Sequence, residues 1–191
     1  MFAISSLKAQ SIAFMITMLL ISSAAVAKPT PGNIAIGETV PSYLGIDREN
    51  NKINASDYAG KVLVVTFWAS WCGPCIKELQ VLENLQNAAK KSVQVIAINI
   101  EDRDKFKSVS RALNTLSLKL AHDYTKSVAE KFGVNGIPHM LIIGRDGKVL
   151  NVHRGYGDGM IPTLAAEINK AIAMKVDESS ALTETKIESP Q

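Results

Sequence analysis

The chain has 191 residues, with 21 Lys and Arg against 18 Asp and Glu, a formal charge of +3, and 47% apolar content. That length and composition suit one globular domain with a sizeable core. The charge balance is too even to argue for nucleic acid or an anionic membrane surface as partner, and no internal repeat is visible.

The first residues read as an address. Lys8 is the lone positive charge, Ile12 to Ile21 is apolar apart from Thr17, and Ala25-Val26-Ala27 is an A-x-A cleavage signature. The apolar run falls short of the ~20 residues that a spanning helix needs. Residues 1–27 are therefore expected to be a signal peptide cleaved after Ala27, with an uncleaved N-terminal anchor as the alternative. No cysteine follows the run, which excludes a lipoprotein anchor. Residues 28–36, with Pro29, Pro31 and Gly32, read as a leader.

The folded domain is expected over 37–175. Val40 to Ile46 is predicted as an edge strand, because Pro41 is tolerated there. Asp47 to Asn51 is a turn, and Lys52 to Asn54 returns as a second short strand. Ala55 to Ala59 reads as one helical turn. Lys61 to Trp68 is a buried strand. It runs into Trp71-Cys72-Gly73-Pro74-Cys75, which holds the only two cysteines of the chain. The following helix has apolar positions at Ile76, Leu79, Leu82, Leu85 and Ala89, and Lys90 and Lys91 sit where its dipole favours cations.

Placing a Cys-x-x-Cys at a helix start has a chemical consequence. Free N–H groups and the positive end of the dipole favour thiolate. In such motifs the thiol pKa falls from ~8.5 toward about 7 or below. Cys72, just before the first turn, is the expected nucleophile, and Cys75 the resolving thiol. Gly73 and Pro74 suit the first turn, where Pro needs no N–H. Trp68 and Trp71 are expected to shelter the pair. A structural disulfide is disfavoured, because so small a loop removes little chain entropy. A structural zinc site wants four ligands, and His122, His139 and His153 show no ligand spacing. No metal and no cofactor are expected.

Phe67 to Cys75 resembles the active-site segment of thioredoxin-like proteins. The wider chain, from about Gly37 to about Lys175, resembles the TlpA/ResA-type branch, extracytoplasmic thioredoxin-like reductases that include cytochrome c maturation factors. The resemblance implies an α/β fold of thioredoxin type. A central mixed sheet flanked by helices would carry an N-terminal β-hairpin extension and a βα insertion. Many thioredoxins have a buried Asp two residues before the active-site Trp; here that position is Thr66, which cannot act as a base. Glu78, three residues after Cys75, stands where this branch carries a Glu implicated in tuning the cysteines. A partly buried carboxylate there would have a raised pKa and exchange protons with Cys75. An exposed Glu78 paired with Lys77 is the competing expectation.

Val93 to Ile100 is a continuous apolar strand of the parallel-sheet kind, completing a βαβ unit. Glu101 to Asp104 reads as a solvated loop and helix start. Phe106, Val109, Leu113 and Leu116 mark the next helix. Leu118 to Asp123 is a short strand, with His122 expected to be a surface or satisfied core side chain. Ser127 to Phe132 is a short helix, with Gly133 as its C-cap. The added length of this segment over plain thioredoxin matches the branch's insertion.

Gly136-Ile137-Pro138 precedes the strand His139 to Ile143. In thioredoxin-like folds this proline is cis and faces the cysteine pair. The resemblance therefore assigns Ile137 and Pro138, with Trp71, Gly73 and Pro74, to substrate binding, and an extended peptide would pair with the Ile137 backbone. His139 departs from the Thr common in the branch. It either stabilises the Cys72 thiolate or points away from it, and the second is the stronger expectation. Asp146-Gly147 marks a hairpin turn, and Val149 to His153 is the last strand. The Gly155-Gly157-Gly159 loop has no nucleotide-binding spacing. Ile161, Leu164, Ala165, Ile168 and Ile172 form a final helix, and residues 176–191 read as a polar, disordered tail.

Function follows as thiol–disulfide exchange, most simply a reductase acting on exported proteins such as apocytochrome c. A Gly-Pro dipeptide between the cysteines resembles thioredoxin, a reductant near −270 mV. Acting outside the cytosol, in a compartment where proteins acquire disulfides, it would draw electrons from a membrane donor of the DsbD or CcdA kind and work as a monomer. A disulfide-forming oxidant is the alternative. A peroxidase lacks its Pro-x-x-x-Thr-x-x-Cys context here, and copper handling lacks a Cys-x-x-x-Cys.

Overall fold

Seven consecutive residues, Val62–Trp68, are fully buried and form the strand β3 at the centre of the molecule. A strand covered on both faces reads as a near-continuous apolar run, and this one is interrupted only by Thr66. The computed structural model describes Gly32 and residues 34–174. The proposed signal peptide, most of the leader and the proposed tail lie outside the described residues.

Strands β1 (Tyr43–Ile46) and β2 (Lys52–Asn54) come first, then a 3-10 turn over Ala55–Tyr58. After β3 come helix α1 (Gly73–Ala88), β4 (Val93–Asn99) and α2 (Arg103–Ala112). Next are β5 (Lys119–His122), α3 (Ser127–Lys131), β6 (His139–Ile143), β7 (Val149–Arg154) and α4 (Ile161–Ala173). They build one mixed sheet in the order β2-β1-β5-β4-β3-β6-β7. β3, β4 and β5 run parallel, and the other neighbours pair antiparallel. This is the α/β thioredoxin-like sheet with the hairpin extension.

The strand alternation of β3 sorts side chains to two faces. Val62, Val64 and Trp68 join a core with Cys72, Cys75, Leu79, Leu82, Met140 and α4's Leu164 and Ile168. Leu63, Val65 and Phe67 join a second core with Leu44, Ile96, Ile98, Val128 and Phe132. The cysteines belong to the first face only.

Three local expectations are corrected. β1 is not an edge strand: β2 and β5 flank it, and Pro41 lies before its first residue. The approach of β1 to β5 is close enough that a Cβ on Gly45 (φ +114°) would stand 2.7 Å from the His122 carbonyl oxygen. Helix α1 stops at Ala88, so Lys90 and Lys91 lie past its last turn. Helix α2 likewise stops at Ala112, leaving Leu113 and Leu116 in the connection to β5 while both still pack on the first core.

Candidate redox site

The end of β3 and the start of α1 bring the two cysteines together. Cys72 is the N-cap of α1 and Pro74 lies in its first turn. Cys75 N–H donates to Cys72 Sγ at 3.3 Å, so the sulfur itself takes up one of the helix's free donors. The two sulfurs are joined in a disulfide. Cys72 keeps 6% of its surface exposed and Cys75 none, an asymmetry in the order expected for attacking and resolving thiols. The preceding loop is turned by Cys72 N–H donating to the Ala69 carbonyl. Trp68 is fully buried beside the pair, whereas Trp71 is 72% exposed. Trp68 therefore shelters the cysteines and Trp71 does not.

Glu78 sits one helical turn after Cys75, on the face turned to β3, and is fully buried. It is not the exposed partner of Lys77. Its Oε2 accepts the Thr66 hydroxyl at 2.9 Å, while Oε1 takes no partner among the described residues. Burial pushes its pKa from 4.5 to about 7, and the single bond from Thr66 counters only part of that rise. Thr66, which cannot be a base, is thus the donor that holds the carboxylate.

The β3–β6 register pairs Phe67 with His139. Ile137 and Pro138 therefore lie level with Trp68 and Ala69, where the chain leaves the sheet toward Cys72. The Ile137–Pro138 bond is cis. The Pro138 carbonyl accepts from Gly155 N–H at 2.8 Å. His139 is on the other side of the sheet. Its ring stands edge-on to Phe67 at 6.3 Å, and Phe67 belongs to the second core. Both ring nitrogens are buried without a partner among the described residues. Burial, with Arg154 nearby, pushes its pKa down to about 4. It is a neutral core residue, on the opposite face from the sulfurs.

One part of the site escaped the sequence reading. Glu101, assigned to a solvated loop, turns its carboxylate to Ser70, accepting its N–H at 2.6 Å and its hydroxyl at 2.8 Å. Asn99 Nδ2 adds a third bond at 2.9 Å. Burial pushes Glu101's pKa up, but the bonds from Asn99 and Ser70, with the charge of Lys105, outweigh it and hold the carboxyl below its ordinary range. His122 is a buried, satisfied side chain, as expected: Nε2 bonds the Glu101 carbonyl oxygen at 2.9 Å, and the ring stacks on Phe106 at 4.5 Å. Among the described residues, no group of three His, Cys, Asp or Glu side chains converges as a metal site requires.

Fold and dithiol site together define a thioredoxin-like thiol-disulfide oxidoreductase. The chain belongs to the Redoxin family, whose model matches residues 35–168, and is of the TlpA/ResA type. It is similar to the thiol-disulfide oxidoreductase ResA of Bacillus thuringiensis (strain Al Hakam). The two are 33% identical over 118 residues, which cover 60% of this chain and 67% of that one. ResA of Geobacillus thermodenitrificans is 27% identical over 124 residues, 64% of this chain and 71% of the other. Among solved structures, a proposed thiol:disulfide interchange protein DsbE of Chlorobium tepidum superposes with a TM-score of 0.68. It is 28% identical and covers 74% of this chain and all of its own. A proposed protein disulfide isomerase of Bacteroides thetaiotaomicron gives 0.63 at 25% identity, over 76% and 96% of the two chains.

Proposed function

We propose that the protein is an extracytoplasmic reductase of protein disulfides, with apocytochrome c as the leading substrate class. The observation that carries the reading is the position of Cys72. Its sulfur caps a helix N-terminus, where thiolate is favoured, and keeps the pair's only exposure. In the reduced protein the Cys72 thiolate attacks one sulfur of a substrate disulfide. A mixed disulfide forms and the substrate's other sulfur leaves as thiolate. Cys75 then loses its proton and attacks Cys72 Sγ, which forms the Cys72–Cys75 disulfide and releases the second substrate thiol. Two electrons pass to the substrate. Glu78, with a pKa near neutrality, accepts and returns the Cys75 proton.

Trp71, Gly73, Pro74, Ile137 and Pro138 form the substrate surface. The exposure of Trp71 supports this, as does the Ile137 main chain, which takes no backbone partner among the described residues. Residues 1–27 direct export, either cleaved or kept as a tether, and 28–36 lead into the domain of 37–175. The tail 176–191 follows. Among the described residues no helix is long and apolar enough to cross a membrane. Electrons reach the oxidised pair from a membrane donor of the DsbD or CcdA kind.

The test is capture. Cys75→Ala halts the cycle at the mixed disulfide, so expression of the tagged variant in the native host accumulates exported cysteine proteins bound through Cys72. Non-reducing gels and mass spectrometry identify them. An apocytochrome among them supports the substrate class. Adducts confined to cytosolic proteins overturn the extracytoplasmic reading.

A further inference from the structure

Glu101 is 31 positions from Ser70 in sequence, yet its carboxylate reaches into the loop before the cysteines. The register explains the approach. β3 and β4 run parallel and end level, Trp68 opposite Asn99, and the Ile100 N–H donates to the Trp68 carbonyl. Two residues beyond that point the chains bracket the same space. Glu101 is itself held at both ends: its N–H donates to Asn99 Oδ1 at 3.0 Å, its carboxylate accepts from Asn99 Nδ2, and its carbonyl bonds His122. His122 is in turn fixed by stacking on Phe106. A half-buried carboxylate with three donors, anchored through a stacked ring, is a rigid support rather than a solvated charge.

We propose that Glu101 is a positioning residue for thiol–disulfide exchange, clamping Ser70 so that the Ala69–Cys72 turn presents the Cys72 sulfur and the exposed Trp71 in one fixed geometry. Both oxygens of the carboxylate are used. One takes the main chain of Ser70 and the other its side chain, so the loop can neither slide nor rotate without breaking a charge-assisted bond. In-line attack on a disulfide depends on such fixed placement. The proposal rests on the oxidoreductase reading of Cys72 and Cys75.

The test uses the full chain in its reduced form. Glu101→Gln keeps the shape but removes the charge, and its NH2 meets Ser70 Oγ only by donating to it, so the charge-assisted bond from the hydroxyl is lost. Ser70→Ala removes the hydroxyl bond and leaves the main-chain one. Single-turnover reaction with an aromatic disulfide such as Ellman's reagent is expected to slow about fivefold in Glu101→Gln and about twofold in Ser70→Ala. Acrylamide quenching of the exposed tryptophan rises in the same order, and the circular dichroism spectrum stays unchanged. Wild-type rates and wild-type quenching in both variants overturn the proposal. If Glu101→Gln fails to fold, Ser70→Ala decides by the same two readouts. A wild-type protein that does not react with the reagent at all sinks the oxidoreductase reading instead, so the two failures are told apart.

Discussion

Two carboxylates bracket the Cys72–Cys75 segment, and they are tuned in opposite directions. Glu78 is fully buried and accepts one hydrogen bond, and its pKa is pushed up to about 7. Glu101 is only half-buried and accepts three, and its carboxyl is held below the ordinary range. Burial opposes the charged form in both. The number of donors decides which way the balance falls. The lesson is functional: a carboxylate with spare acceptor capacity in an apolar layer can carry a proton at neutral pH, whereas one saturated with donors stays charged and holds structure.

Breaking the Glu78 side of the comparison gives the largest expected effect. Its folded pKa lies above the unfolded value of 4.5, so the folded state holds the extra proton. The sign follows: the Glu78 contribution is most favourable below about 4.5, falls as pH rises, and carries the full cost above about 7. The cost is on the order of 3 kcal/mol. Glu78→Gln removes it. In urea titrations of the oxidised protein the variant should match wild type near pH 4.5 and exceed it by about 3 kcal/mol at pH 9. Equal stability at both pH values contradicts the assignment.

His139 supplies the opposing limb, nearly as large. Its folded pKa, about 4, lies below the unfolded 6.5, so its contribution is complete above 6.5 and lost as pH falls toward 4. Across that window the two residues offset each other, and the wild-type profile should be nearly flat. His139→Met should unmask the Glu78 slope, with stability rising by about 3 kcal/mol from pH 7 to 4.5. A flat profile in that variant breaks the pairing of effects.

Thr66→Val sharpens the comparison on a smaller scale. It takes away the only donor to Glu78 among the described residues and leaves the carboxylate bare of them. The expected loss is about 1–2 kcal/mol at pH 8, as for a buried acceptor left unsatisfied. Carbon NMR of the Glu78 carboxyl should show titration above pH 7. A midpoint unchanged from wild type means that the hydroxyl contributes nothing to the tuning.

Sequence reading succeeded where the signal is local. The strand into Cys-x-x-Cys and the three-residue step from Cys75 to Glu78 each lie within one element or one junction, so spacing places them. The Ser70–Glu101 bond needs the parallel register of β3 on β4, which no local pattern encodes. The usable hint is that the two strands are of equal length, seven residues each, which brings the residues just past their ends together once they pair in parallel. His139 was ambiguous for a related reason. Its face depends on pairing with Phe67, and in a strand buried on both sides the apolar pattern does not mark which side is which. The edge position assigned to β1 fell to long-range pairing with β5. The Lys90 and Lys91 placement fell to an uncertainty of a few residues in helix ends.

The central claim is that the Cys72–Cys75 couple donates electrons. Its reduction potential, from equilibration with glutathione or dithiothreitol buffers, tests that directly. The account predicts a value well below about −200 mV, in the range of reductants. A value near −120 mV, that of strong disulfide-forming oxidants, would mean that the protein makes disulfides, and the reductase reading would be given up.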